Sequence, residues 1–367
     1  LTYIIVVKYM ITISVCMIVK DEEAVLKRCL ESAKEIADEM IVVDTGSRDQ
    51  TREIAEKEGA RVYQFPWIDD FAAARNFSFS QAVMDYCLWL DADDVLLPED
   101  RRRLQKLKES LEPGVDMVMM KYNTAFDSQG KPIFSYYRER LIRNFRGYRW
   151  MGAVHEVIPP QGKVIHSTIA VTHQKMGKGD PDRNLRIFEK LLREGKTLDP
   201  RQRFYYAREL FYHERYEGAA EELLNFLQSG QGWVENEIEA CRQLSQCYRK
   251  LGREREVLPA LLKSLEYDIP RAEVCCDIGA YFMERERYRQ AAYWYQTAAS
   301  CEREDQSGGF VLPDCYDYIP YLQLCVCYDR MGDYITASMY NEKAGKCKPD
   351  SEAYLANKTY FERRLEL

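Results

Sequence analysis

The sequence predicts an α/β domain on a mostly parallel sheet, followed by an all-α array of repeated helical hairpins. Three observations carry this expectation. From Ile11 to about Tyr122, apolar strand-like runs alternate with helical periodicity. Two of those runs end in an aspartate, at Asp44 and Asp91. From about Asp182 onward nearly every segment is amphipathic helix broken by a recurring turn. The expected domains are residues 10–180 and 181–367.

Taken in order, Ile11–Val19 is rich in β-branched residues and reads as a buried strand. Leu26, Cys29, Leu30, Ala33 and Ala37 then recur at helical spacing. Met40–Val43 is the second strand, followed by Thr45-Gly46-Ser47 as a turn and a helix carrying Ile54 and Ala55 that Gly59 closes. Arg61–Phe65 is a third strand, a helix covers about Ala72–Ala82, and Tyr86–Leu90 is a fourth strand. In such sheets ligands bind beyond the carboxyl ends of the strands, where Asp44 and Asp91 stand. Between Val115 and His173 the pattern changes to strands without long helices: Val115–Tyr122, Ile133–Tyr137, Tyr148–Ile158 and Lys163–Thr172. Gly130-Lys131-Pro132 and Pro159-Pro160-Gln161-Gly162 are the turns. This segment is expected to form the acceptor side of a cleft.

The second half repeats itself. Leu244-Ser245-Gln246-Cys247-Tyr248 leads to Leu251-Gly252-Arg253-Glu254, and Leu324-Cys325-Val326-Cys327-Tyr328 leads to Met331-Gly332-Asp333-Tyr334. Similar pairs begin at Ala207 and Ile278. The period is loosely that of a tetratricopeptide repeat, about 34 residues, with an insertion around Ser307–Pro313. Such hairpins bury their faces only by stacking.

Composition narrows the function classes. A net charge of −7 gives no support for nucleic-acid binding. Twelve cysteines include no C-x-x-C pair, and Cys325 and Cys327 lie in an apolar helical run, so reduced, buried thiols and a cytoplasmic location are expected. The apolar start is interrupted by Lys8 and followed by Lys20-Asp21-Glu22-Glu23, which suits a strand better than a membrane helix or signal peptide. Residues 1–9 read as an upstream extension.

The strongest chemical signal is Leu88-Trp89-Leu90-Asp91-Ala92-Asp93-Asp94, an apolar strand running into a D-x-D. Like charges so close favour a bound cation, and hard oxygen ligands suit Mg²⁺ or Mn²⁺, which also bridge diphosphates. The bland alternative is a solvated acidic turn. Val42-Val43-Asp44-Thr45-Gly46-Ser47 ends the second strand in an acid and a glycine turn, where Asp44 can accept hydrogen bonds from a base or ribose while later polar residues cap the next helix. There is no G-x-G-x-x-G or Walker A pattern.

Together with Ser14-Val15-Cys16-Met17-Ile18-Val19-Lys20-Asp21-Glu22, Phe65-Pro66-Trp67 and Asp69-Asp70-Phe71-Ala72-Ala73-Ala74-Arg75-Asn76, these motifs resemble family 2 glycosyltransferases. More narrowly they resemble the branch containing lipopolysaccharide-core glucosyltransferases, and glycocin-type peptide S-glycosyltransferases are also similar. The resemblance covers roughly the first half of the chain. It implies a GT-A fold and inversion at the sugar's anomeric carbon. It implies that Val15, Cys16 and Met17 line the base, that Asp44 holds uracil or ribose, and that Asp91 sits near the ribose or donor sugar. It also implies that Asp93 binds Mn²⁺ or Mg²⁺, with His173 as a further metal ligand, and that Arg75 and Asn76 contact the donor. The bland reading of Arg75 is an exposed helix face, and that of His173 a buried structural residue.

Inverting transfer requires a general base on the acceptor side. Glu156 and Asp94 are the candidates; strand alternation puts His155 and Glu156 on opposite faces. Tyr137-Arg138-Glu139-Arg140 and Arg143 could steady phosphates or acceptor; the bland and slightly favoured reading is a charged edge strand. The expected function is metal-assisted transfer of a hexose, with UDP-glucose the leading donor, to a peptide, protein or surface-glycan acceptor. The alternative is a repeat scaffold, with homodimerisation through the helices, beside a vestigial catalytic domain.

Overall fold

The computed structural model describes residues 10–126, 130, 132–176 and 179–365; residues 1–9 and Lys131 of the expected turn lie outside this set. The chain divides after Lys196 into two compact units.

The first unit is built on an eight-stranded sheet. Its elements run β1 (Ile13–Val19), α1 (Leu26–Ala33), β2 (Glu39–Asp44), α2 (Thr51–Lys57), β3 (Arg61–Gln64), α3 (Phe71–Ser80), β4 (Tyr86–Trp89), β5 (Asp94–Val95), α4 (Pro98–Ser110), β6 (Val115–Phe126), β7 (Pro132–Arg143), β8 (Lys163–His173) and α5 (Arg183–Arg193). The strand order is β3-β2-β1-β4-β7-β6-β8-β5. β3, β2, β1 and β4 pair in parallel, as the strand–helix alternation predicts. β7 then pairs antiparallel with both β4 and β6, and β5 antiparallel with β8. A parallel half is thus joined through β7 to a second half in which antiparallel pairing predominates, with β6 and β8 parallel.

Apolar side chains of β1, α1, β2, β4, α4 and β6 meet in one core that includes Ile13, Val15, Met17, Leu30, Val42, Leu88, Leu104 and Val118. The β2 and β4 strands, buried along their whole length from Met40 and Tyr86, aim Asp44 and the Asp91–Asp94 turn at the same sheet edge. α3 begins where Asp70 accepts a hydrogen bond from the Ala73 amide at 2.8 Å, an ordinary N-cap.

Two expectations are corrected. Residues 148–158 are not a strand: they form a loop closed by a single bridge between Met151 and Val157, with Gly152 at φ +93° and His155 at φ +52°. β7 is not an edge strand either, since it sits between β4 and β6 and buries Glu139 and Arg140.

The second unit is all helix and short connections: α6 (Pro200–Tyr212), α7 (Tyr216–Ser229), α8 (Val234–Lys250), α9 (Glu254–Lys263), α10 (Ala272–Met283), α11 (Tyr288–Ser300), α12 (Tyr318–Arg330), α13 (Tyr334–Cys347) and α14 (Glu352–Arg364). Neighbours pack in sequence as helical hairpins, α6 with α7, α8 with α9, α10 with α11 and α12 with α13, and α14 packs on α13. The expected insertion falls between α11 and α12. Among the described residues no helix is long and apolar enough to cross a membrane.

Candidate active site

Beyond the carboxyl ends of β1 and β4 lies a cleft of about 860 Å³, lined by Ile18, Val19, Lys20, Glu22, Thr45, Trp67, Phe71, Arg75, Trp89, Asp91, Ala92, Asp93, Tyr122, Arg138, His155, Glu156, His173, Lys175, Gly179, Asp180, Pro181 and, at the start of α5, Arg183 and Asn184. The D-x-D turn forms its floor. The Asp94 carboxylate accepts the Asp91 amide at 3.1 Å, and the Asp94 amide returns to the Asp91 carbonyl at 3.0 Å. Gln174 N–H reaches the Asp93 carbonyl at 2.8 Å, so the end of β8 is laced to the same turn.

That lacing brings His173 to the acids. His173 Nδ1 lies 3.3 Å from Asp93 and 3.5 Å from Asp94. One ligand atom from each of Asp93, Asp94 and His173 falls within 4.8 Å of the others. Asp94 Oδ1 is buried with no partner nearer than the His173 ring, and donation by the ring to Asp93 and then Asp94 pushes the His173 imidazole up to about 10. Two acids here are drawing on a cation, and the proton on His173 supplies one. A divalent ion in place of that proton would find two carboxylate oxygens and an imidazole nitrogen, a donor set suited to Mn²⁺ or Mg²⁺.

Asp94 is fully buried, and its Oδ2 accepts from Nη1 of an equally buried partner, Arg140, at 2.9 Å. Arg140 stacks over Trp89 at 3.7 Å and over Tyr122 at 4.3 Å, while Arg75 and Arg138 lie 4.7 and 5.0 Å from the Trp89 ring. Arg75 is not on an exposed helix face. It is buried, and its guanidinium joins Asp91 at 2.7 Å to Glu156 at 2.6 Å. Burial raises the Asp91 carboxyl, but Arg75, Arg140 and Arg138 outweigh it and hold Asp91 below the ordinary range. Glu22 has no such partner: burial, Asp93 and Asp91 push it up to about 7.

Asp91, Asp93, Arg75, Glu156 and His173 line one cleft. Other candidates lie elsewhere. Val15, Cys16 and Met17 are buried within β1, and the strand reaches the cleft only at Ile18 and Val19. Asp44 is buried and turned onto its own loop, accepting the Ser47 amide at 3.1 Å and the Gly46 amide at 3.3 Å; Thr45 is what faces the cavity. Asn76 spends both ends of its amide on Trp150, accepting its N–H at 2.9 Å and donating to its carbonyl at 3.0 Å, so it clamps the 148–158 loop. Because that loop is not a strand, His155 and Glu156 both reach the cleft. Tyr122 carries no signal in the sequence beyond an aromatic residue in an apolar strand; Arg138, weighed there for phosphate or acceptor contact, does line the cleft, whereas Arg140 is buried against Asp94.

Residues 14–169 match the profile of the family described as Glycosyl transferase family 2. A TPR repeat-containing protein of Synechococcus elongatus is 40% identical over 149 residues, 41% of this chain and 36% of its own. The SPbeta prophage-derived glycosyltransferase SunS of Bacillus subtilis is 27% identical over 228 residues, 58% of this chain and 52% of its own. The chain thus spans between about a third and a half of the length of these relatives. Among solved structures, a glucosyl-3-phosphoglycerate synthase from Mycobacterium tuberculosis, in complex with Mn²⁺, UDP and glucosyl-3-phosphoglycerate, is 27% identical over 30% of this chain and 44% of its own, with a TM-score of 0.27.

Proposed function

We propose that this chain, whose residues 14–169 are a glycosyl transferase family 2 domain followed by tetratricopeptide-like helices, is an inverting glycosyltransferase acting on a nucleoside diphosphate sugar. The observation that carries the reading is the convergence, on one cleft, of the Asp93–Asp94–His173 cluster with the Asp91–Arg75–Glu156 chain of ion pairs. A structural acidic turn would need neither a histidine from β8 nor a buried arginine from α3.

In this reading Asp93, Asp94 and His173 hold a divalent ion, which when bound supplies positive charge to a departing diphosphate. The Ile18–Val19 end of β1 and Thr45 flank the nucleotide, with Asp44 shaping the loop they belong to. Asp91, kept ionised by Arg75, faces the donor sugar or ribose. Glu156 takes the proton from the acceptor as its nucleophilic atom bonds to the anomeric carbon and the bond to the diphosphate breaks. Asp94 is unsuited to that task, because its carboxylate is sealed from solvent and one oxygen is committed to Arg140. Its work is to hold the turn and the ion. Trp67 and Phe71, packed edge to face at 4.7 Å, flank the cleft together with Arg183 and supply an acceptor-side surface. UDP-glucose is the first donor to try, and a peptide, protein or surface glycan the acceptor class.

The test is release of UDP from a panel of UDP-hexoses with Mn²⁺, comparing wild type with Asp93→Ala. Wild type is expected to release UDP and the variant to lose release while keeping its fold by circular dichroism. Equal release by both would remove the catalytic reading.

A further inference from the structure

Within each hairpin of the second unit a short turn joins the helices, as residues 284–287 do between α10 and α11. Between α11 and α12 the chain runs instead through residues 301–317, which include the short 3₁₀ turn Pro313–Cys315. Loops of that length are uncommon in compact domains and are usually functional. This one does not stay beside the helices it connects. It crosses back over the first helices of the three preceding hairpins, α10, α8 and α6.

Each crossing has its own contact. On α10, Glu273 accepts the Leu312 amide at 2.7 Å and the Tyr316 hydroxyl at 3.2 Å. At the start of α8, Gly308 lies at φ +77° with its backbone on the Trp233 ring, where a Cβ would stand 3.2 Å from Cη2. A Cβ on Gly309 would stand 2.9 Å from Glu235 Cδ, and Arg271 holds that carboxylate at 2.8 Å. On α6, the Phe310 ring lies 6.1 Å from buried Phe204, and the Arg208 guanidinium sits 4.4 Å over it. Arg208 is itself steadied by Glu239 of α8 at 3.5 Å. Yet the strap does not fill the face it crosses. A cavity of about 560 Å³ remains between Phe310 and Val311 on one side and Ile238, Arg242, Pro270 and Thr297 on the other.

We propose that the face formed by α6, α8 and α10 is a docking groove for an extended peptide with an aromatic side chain followed by apolar residues, and that residues 304–312 are its built-in competitor. The strap's own contacts choose that occupant. Phe204 and Arg208 make a socket for a ring whose π-face meets a guanidinium. Glu273 takes a backbone N–H two residues beyond that ring. The glycines before it let the backbone lie close on Trp233 and Glu235. Side chains that set specificity while main-chain groups set register are how extended peptides are recognised. A peptide that also fills the cavity buries more surface than the strap does. The strap competes at an effective concentration on the order of millimolar, as short tethers do. It therefore lowers the apparent affinity of any partner by the fraction of time the groove stands open.

The experiment uses the full chain and a fluorescein-labelled synthetic peptide with the sequence of residues 304–313, followed by fluorescence anisotropy. In one variant residues 304–311 are exchanged for an equal number of glycines and serines; in another only Phe310→Ala is made. The exchanged variant is expected to bind the peptide about tenfold or more tightly than wild type, with Phe310→Ala between them. Binding to the exchanged variant should be lost when the peptide itself carries Phe310→Ala, and when the protein carries Arg208→Ala. No binding by a folded exchanged variant, equal binding by variant and wild type, or indifference to the peptide's phenylalanine would each overturn the proposal. Should the exchange unfold the second unit by circular dichroism, Phe310→Ala against wild type, probed with both peptides, decides it by the same outcomes.

Discussion

Arg140 donates from Nη1 to Asp94 Oδ2 at 2.9 Å, and neither side chain is exposed to solvent at all. Breaking such a pair by removing one member leaves the other charge buried and alone, which costs about 3–5 kcal/mol. Arg140→Leu is therefore expected to lower stability by roughly that amount, read as a drop in the denaturant midpoint of the first unit. Adding Asp94→Asn to Arg140→Leu should recover part of the loss, because the stranded charge goes with it. Equal midpoints for wild type and Arg140→Leu would show that the pair does not form in solution.

His173 sets a pH dependence whose sign is fixed by its raised pKa. In the metal-free protein the ring's hydrogen bonds to the Asp93 and Asp94 carboxylates hold the imidazolium up to about 10, against an ordinary value of 6.5. Its contribution to stability is thus full below about 6.5 and is lost as pH rises through about 10. A metal ion needs the neutral ring, so binding must expel that proton. Mn²⁺ affinity is expected to rise by up to about tenfold per pH unit between pH 7 and 9, with one proton released per ion. Calorimetry in buffers of different ionisation enthalpy measures both quantities. His173→Ala should abolish the proton release, and proton release that survives in the variant would remove His173 from the ligand set.

Glu156→Gln separates catalysis from architecture. The amide can still accept the Arg75 N–H that now spans 2.6 Å, so the loop should keep its place. It cannot take a proton. The transfer rate should fall by about 10²–10⁴-fold, with UDP affinity unchanged by calorimetry. A rate within a few-fold of wild type would move the general base elsewhere in the cleft, with His155 the next side chain to replace.

Particular residues explain which parts of the fold and site were legible in advance. The parallel half was readable because apolar runs ending in Asp44 and Asp91 report both the strand and its exposed end. His173 joins Asp93 in the sequence reading only through the family resemblance; the structure places its Nδ1 3.3 Å from that carboxylate. The 148–158 loop was not readable. Its alternating Trp150, Gly152, Val154 and Glu156 mimic a strand, and only the positive φ at Gly152 and His155, a tertiary outcome, sends Glu156 toward Arg75. Arg140 was misread for a related reason: an arginine on a strand suggests an edge, and nothing local reveals the two rings and the carboxylate waiting to cover it. The resemblance carries Asn76 to the donor together with Arg75, yet on a helix adjacent residues face about 100° apart, and Asn76 meets Trp150 instead.

Gly279 tests the hairpin packing of the second unit independently of any ligand. A Cβ at this position on α10 would stand 2.7, 2.8 and 2.9 Å from three ring atoms of Tyr295 on α11. Tyr295 is buried in the cluster with Ala291, Ala298 and Cys276 and has no room to swing away. Alanine raises helix propensity by about 1 kcal/mol over glycine, while forced overpacking costs about 1–3 kcal/mol. Gly279→Ala is thus expected to be neutral to destabilising by about 2 kcal/mol, although an exposed helix site would gain from the same change. Pairing it with Tyr295→Leu, which removes the opposing ring, should make the two effects non-additive, with the double variant more stable than the sum of the singles. Thermal melts of all four proteins measure this coupling. Strict additivity would mean that α10 and α11 separate enough in solution for the glycine to be dispensable.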